Sequence, residues 1–169
     1  MFRSRLDFVR QQGVAQADLD SDRLYSALMV QPRLVGVVVL TGILLQHQAV
    51  FVTLSVVLSW SALMPRHNPV DALYNRLYAH PRHLRRLGVA PSPRRFAQAI
   101  AALLACAIAT ALLLKSTTTA WVLEGILGSG VILVVSGRFC AGSYLYHILW
   151  LPTSTKPHHK LPVGGCAHG

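Results

Sequence analysis

Four apolar stretches, near residues 34–46, 48–64, 96–115 and 119–136, leave this chain few ways to fold. Segments of that length without regular charge are read as helices that cross a bilayer rather than as the faces of a soluble core. Their connections are unequal. Residues 65–95 hold Arg66, Arg76, Arg82, Arg85, Arg86, Arg94 and Arg95 against one acid, Asp71. The other two are the turn around Gln46-His47-Gln48 and the segment from Lys115 to Thr119. Membrane insertion retains arginine-rich loops in the cytoplasm. The pattern therefore predicts an all-α integral membrane four-helix bundle made of two helical hairpins. Both termini and the 65–95 loop lie in the cytoplasm, and the two short turns lie outside.

Charge alone would admit a different partner. The net charge is +10, yet 53% of residues are hydrophobic and 13% are charged. The basic residues flank apolar spans, where they orient a membrane protein and meet anionic headgroups. No nucleic-acid motif or aromatic-basic platform accompanies them, so the expected partner is the lipid bilayer and no nucleic acid. Residues 1–31 contain early arginines but no continuous apolar core before a small-residue site. The first span then acts as its own insertion signal. The expected organisation is a cytoplasmic amphipathic segment over 1–31, a membrane domain over 32–151 with its loop at 65–95, and a flexible tail over 152–169.

The third span, Phe96 to Lys115, is about 20 residues or roughly 30 Å of helix, the thickness of the hydrocarbon core. Ala97, Ala101, Ala105 and Ala109 recur at four-residue spacing, a face that lets another helix come close. Gly125, Gly128 and Gly130 make the fourth span its natural partner. The first span is short if it begins at Leu34. An earlier start within Ala27–Val30 leaves Pro32 either kinking the helix or sitting in the first turn of a new one.

In the basic loop, Asn68-Pro69 followed by Asp71 reads as a helix start, with a capping side chain, a proline at the first position and an acid facing the dipole. Val70, Leu73, Tyr74, Leu77 and Tyr78 then form one apolar stripe with Arg76 opposite, and His80-Pro81 ends it. Such a helix lies on the membrane surface or docks on a partner. Upstream, Asp20 or Ser21 caps a helix in which Leu24, Tyr25, Leu28 and Met29 share a face. Residues 139–151 carry Phe139, Tyr144, Tyr146 and Trp150, side chains that favour the interface.

Chemistry has few places to reside. Cys140 opens Cys-Ala-Gly-Ser, and a thiol at a helix N-terminus beside Arg138 is favoured as the thiolate. Without a resolving cysteine it forms mixed disulfides but no internal one. Cys106, Cys140 and Cys166 have no regular spacing, and a structural disulfide is not expected in that compartment. Cys140, Tyr144 and His147 share a helical face, with His147 assisting the thiol in a redox reading. The tail residues His158, His159, Cys166 and His168 are weak metal candidates that match no zinc signature. Glu124 is the one carboxylate in an apolar span, which points to proton or ion coupling or to a paired or snorkelling side chain. His47 falls at the external turn and His147 near the cytoplasmic face, where either could serve as an axial ligand, but nothing else supports a haem or chlorin. No hydrolase elbow, phosphate loop or zinc-protease motif is present.

Pro93-Arg94-Arg95-Phe96-Ala97-Gln98 opening span three and Phe139-Cys140-Ala141-Gly142-Ser143 after span four carry a resemblance. So do Pro32-Arg33 and the tyrosine-containing loop helix. Over roughly 31–149 the chain resembles a family of small four-helix bacterial membrane proteins of unknown function, similar in general build to the DoxX and MauE proteins. The resemblance implies the cytoplasmic (inner) membrane of a bacterium. The family's motif after the last span typically reads Cys-x-x-Cys, and here its second position is Ser143. That departure weighs against a dithiol role. The leading expectation is a non-catalytic accessory subunit of a larger membrane complex, with other integral membrane subunits as partners. A thiol or sulfur-compound redox protein using Cys140 and a small transporter using Glu124 are the alternatives. No cofactor is expected, although bound lipid, quinone or pigment is compatible with the apolar faces.

Overall fold

The structure, a computed structural model, describes residues 5–13, 21–81 and 87–150. Every regular element among the described residues is helical. Two short helices come first, α1 (Arg5–Gln11) and α2 (Ser21–Leu28). The long ones are α3 (Val30–Leu45), α4 (Gln48–Leu63), α6 (Ser92–Leu113) and α7 (Thr117–Val135). Between α4 and α6 lies the short α5 (Pro69–Tyr74), and α8 (Ala141–Trp150) follows α7.

Two tight turns set the order of the long helices. Gln46 closes α3 at φ 48°, and His47 then accepts from the Ala49 amide through Nδ1 at 3.3 Å to cap α4. Lys115, at φ 55°, closes α6 while the Ser116 amide reaches back to the Ala111 carbonyl at 2.9 Å. Left-handed residues at helix C-termini satisfy carbonyls that the helix itself leaves open. A third, Arg138 at φ 52°, follows α7.

The four long helices touch in a ring, α3 to α4, α4 to α6, α6 to α7 and α7 back to α3, with the α4–α6 contact the most extensive. Their shared core includes Val39, Phe51, Leu54, Leu58, Ala105, Ile108 and Leu127. Ser55 Oγ donates to the Ala102 carbonyl at 2.9 Å across the α4–α6 contact. The outer surface is apolar too. Leu44, Leu63, Leu103, Leu114 and Ile132 are all more than 60% exposed. Three helices, Tyr25–Leu45, Ser92–Leu113 and Thr117–Val135, are long and apolar enough to cross a membrane, and only 17–33% of each span's most apolar window is buried. Gln48–Leu63 is apolar but shorter.

Several boundaries differ from the sequence reading. Helix α6 starts at Ser92 rather than Phe96, so Pro93 and Arg94 lie in its first turn. Pro32 sits in the first turn of α3, and α2 runs on into α3 through Met29, itself in helical conformation, so that Tyr25–Leu45 forms one apolar run.

The loop helix departs further. Asn68 caps α5 as expected, its side chain accepting from the Val70 amide at 3.1 Å. The expected stripe does not form one face, because the chain passes into a π turn over Asn75–Ala79. Asp71, Tyr74 and Ala79 are buried, while Leu73 and Leu77 are exposed. A wider turn holds more residues, so each rotates less, and the i, i+3, i+4 spacing is broken.

Helix α6 contacts both α7 and α8, and Ala105 and Ala109 share the core with Leu127 of α7. A Cβ on Gly125 or Gly130 would meet nothing within 4 Å, and one on Gly128 would meet Ile43 of α3. The glycine that comes closest to the stripe is Gly142 of α8, whose Cβ would lie 2.8 Å from the Ala97 Cα.

Candidate functional site

Six polar side chains are buried together at the end of the ring where α3 and α6 begin and α4 ends. They are Gln31, Ser61, Asn68, Asp71, Arg94 and Gln98. Arg94 pairs with Asp71 at 2.7 Å, an ion pair that ties the loop to the helices. Both carboxylate oxygens are used, Oδ1 by Arg94 and Oδ2 by the Asn68 amide at 3.0 Å. Ser61 Oγ donates to Asn68 Oδ1 at 3.1 Å. The same guanidinium nitrogen of Arg94 donates to Gln31 Oε1, which also accepts from Gln98 Nε2 at 2.9 Å.

The chain of donors fixes the orientation of each amide. Arg94 has only donors, so Gln31 must present oxygen to it. Gln98 must then present nitrogen to that oxygen. Its own Oε1 is left buried with no partner. A buried acceptor without a donor is costly, and native structures retain few of them.

Gln31, Arg94 and Gln98 lie on the wall of a cavity of about 290 Å³. The rest of the lining is mostly apolar, including Val35, Leu104, Leu127 and Val131, and Cys140 stands on the same wall. The polar knot thus occupies one edge of a partly open, mostly apolar pocket between α3, α6 and α7.

Cys140 caps α8, its carbonyl accepting from the Tyr144 amide at 3.0 Å. Gln11 of α1 clamps its backbone, with Nε2 donating to the Cys140 carbonyl at 2.9 Å and Oε1 accepting from the Cys140 amide at 3.3 Å. The residues expected to assist the thiol each have a contact of their own. Arg138 lies 5.6 Å from the Tyr25 ring centroid, and a His147 ring nitrogen lies 3.1 Å from the Gln11 carbonyl. Tyr144 packs against Phe139 at 5.3 Å between centroids. Ser143 is fully buried and donates to the Pro93 carbonyl at 3.3 Å, tying α8 to the start of α6. Cys106 and Cys140 are free thiols.

Glu124 is 1% exposed, so it does not snorkel. It accepts from Gln46 Nε2 through both carboxylate oxygens, at 3.0 and 3.2 Å. This bond places the first turn beside α7, at the end opposite the polar knot. No group of three metal-ligating side chains occurs among the described residues. The tail candidates His158, His159, Cys166 and His168 lie outside the described residues, as do Asp20 and the Leu24 and Tyr78 side chains.

Sequence reading missed Gln31, Ser61 and Gln11 altogether, and placed Arg94 and Asp71 without seeing that they meet. One signal was available: Gln98 falls one helical turn after Arg94 in an otherwise apolar segment, so the two share a face.

Searches of characterised proteins and of solved structures returned no match. A family model does match, over residues 27–150, from the end of α2 through α8. The match contains the polar knot, Cys140 and Glu124, and excludes α1. The chain belongs to the family defined by this domain of unknown function, DUF4395.

Proposed function

We propose that this is a four-span integral membrane protein of the bacterial cytoplasmic membrane, acting as a non-catalytic accessory subunit of a larger membrane assembly. The observation that carries the reading is the apolar exterior. Leu, Val, Ile and Trp side chains are exposed along the outside of the long helices, and water would penalise that surface heavily. The basic end, with Arg33, Arg66, Arg76 and Arg95, faces the cytoplasm by the distribution of arginine. Helix α8 lies at that same end, presenting Tyr144, Leu145, Ile148 and Trp150 outward as an interfacial helix. The general likeness to DoxX and MauE proteins belongs to this proposal.

The accessory role rests on what the thiol lacks. Ser143 fills the second position of the Cys-x-x-Ser turn and is sealed against the Pro93 carbonyl. Native electrophoresis of gently solubilised source membranes, with mass spectrometry of each band, tests it. Migration in a defined larger complex is expected; migration as a lone chain sinks the accessory role.

A second reading is favoured by the position of Cys140 on the cavity wall. There its thiolate would attack a disulfide, forming a mixed disulfide and releasing the other sulfur as a thiolate. Trapping of a Cys140-linked adduct that Cys140→Ser abolishes is the expected result for this reading. No adduct in either form removes it.

A further inference from the structure

Beyond the accessory role, we infer that α1 is a displaceable strap that shuts the cytoplasmic end of the pocket and so regulates access to the Cys140 thiol. Phe8 and Gln12, one turn apart on α1, line the pocket together with Cys140. Both are buried. The inference supplies a regulation for the Cys140 reading above and rests on that reading for its purpose.

Three sets of contacts seat the strap. Phe8 and Val9 pack in one cluster with Leu28, Met29 and Cys140, and the Phe8 ring meets Tyr25 edge-on at 5.7 Å. Gln11 holds the Cys140 backbone by its carbonyl and its amide, and a His147 ring nitrogen reaches the Gln11 carbonyl. Gly13 follows α1 at φ 82°, where a Cβ would lie 3.1 Å from Pro91 Cβ and from Pro93 Cδ. The strap therefore bears on α2, on the start of α6 and on the start of α8.

These contacts make α1 a two-state element. A helix of seven residues is not stable alone in water, so α1 is helical only while it is seated. Its release leaves the ring intact, because the cluster around Phe8 and Val9 shares no residue with the core of the four long helices. The other wall residues run from Leu28 to Gly142, inside the stretch matched by the family model, whereas α1 lies outside it. Elements resting on few buried contacts open ahead of global unfolding. Opening here uncovers the pocket and the thiol on its wall.

The test reads thiol access alone, so its outcome does not depend on whether Cys140 has a natural disulfide partner. The full chain in lipid nanodiscs, with Cys106→Ala and Cys166→Ala, is treated with 2-sulfonatoethyl methanethiosulfonate, an anion confined to water. The Cys140 thiolate attacks its sulfenyl sulfur, a mixed disulfide forms and methanesulfinate leaves; mass spectrometry follows the adduct. Gly13→Ala touches neither Cys140 nor its hydrogen bonds, but sets a side chain at a left-handed φ against two prolines. The rate should rise about tenfold, the change in released fraction that this backbone strain brings. Phe8→Ala removes the bulkiest side chain that α1 buries and should raise the rate as well. A Ser55→Cys reporter between α4 and α6, in a chain also carrying Cys140→Ser, should label at one rate with and without Gly13→Ala. Unchanged Cys140 rates in both variants overturn the inference, since α1 then covers nothing. So does a parallel rise at position 55, because the whole bundle has then loosened.

Discussion

Removing Arg94 should do more damage than removing the whole ion pair. Arg94 and Asp71 are 6% and 5% exposed, so neither charge has water to fall back on. In Arg94→Met the Asp71 carboxylate keeps the Asn68 amide but loses its counter-charge, and Gln31 Oε1 keeps Gln98 alone. Breaking a buried pair from one side costs about 3–5 kcal/mol. Asp71→Asn leaves the guanidinium buried and uncompensated and should cost a similar amount. In the double variant both charges are gone, while Asn68 can still donate to the oxygen of the new amide at position 71. Replacing a buried pair by neutral groups is often close to neutral. The double variant should therefore be less destabilised than either single one, a coupling of several kcal/mol. Unfolding of the chain in mixed micelles, followed by far-UV circular dichroism as SDS is raised, measures all three. Additive effects, or an Arg94→Met chain within about 1 kcal/mol of the natural one, would refute the claim that this pair is a coupled, desolvated unit.

Two other substitutions test the local geometry. Gly142→Ala would put its Cβ 2.8 Å from the Ala97 Cα and Cβ, atoms that cannot rotate away. It should lift α8 from α6 and cost about 1–3 kcal/mol. In Gly36→Ala the near atom is the Val131 Cγ1 of a side chain, and the cost should be visibly smaller in the same assay. Arg138 sits at φ 52°, so Arg138→Gly should be more stable than Arg138→Ala by roughly 1–2 kcal/mol. Both changes lose the Tyr25 ring contact equally, and the difference reads the backbone alone. Equal melting of the two variants would contradict the left-handed conformation.

The long helices were legible because hydropathy needs no partner to be read: each apolar run is continuous, and the turns between runs are polar. Asn68 and Pro69 marked a helix start for the same reason, since capping is a local act within four residues. The polar knot is different. Its six members are spread from Gln31 to Gln98 and meet only once α3, α4, α5 and α6 are in place. Arg94 reads as one more flanking arginine, and Asp71 as an acid complementing a helix dipole, until the two are seen 2.7 Å apart. The π turn after Tyr74 leaves no mark in composition, so a stripe drawn at ordinary helical spacing did not anticipate that Tyr74 is buried while Leu73 and Leu77 are exposed. Around Cys140 the decisive residue was Gln11, more than a hundred positions away and outside the family match. Motif spacing could not have found it.

The central claim is that the ring of four helices crosses the bilayer with its arginine-rich end in the cytoplasm. Single cysteines at two exposed positions, Thr117→Cys at the start of α7 and Arg66→Cys after α4, test it most directly in a chain freed of Cys106, Cys140 and Cys166. A charged, membrane-impermeant maleimide is applied to intact cells and again after permeabilisation. Labelling at position 117 in intact cells, with position 66 reached only after permeabilisation, is the expected result. Labelling of position 66 in intact cells, or protection of position 117 until the membrane is opened, would contradict it.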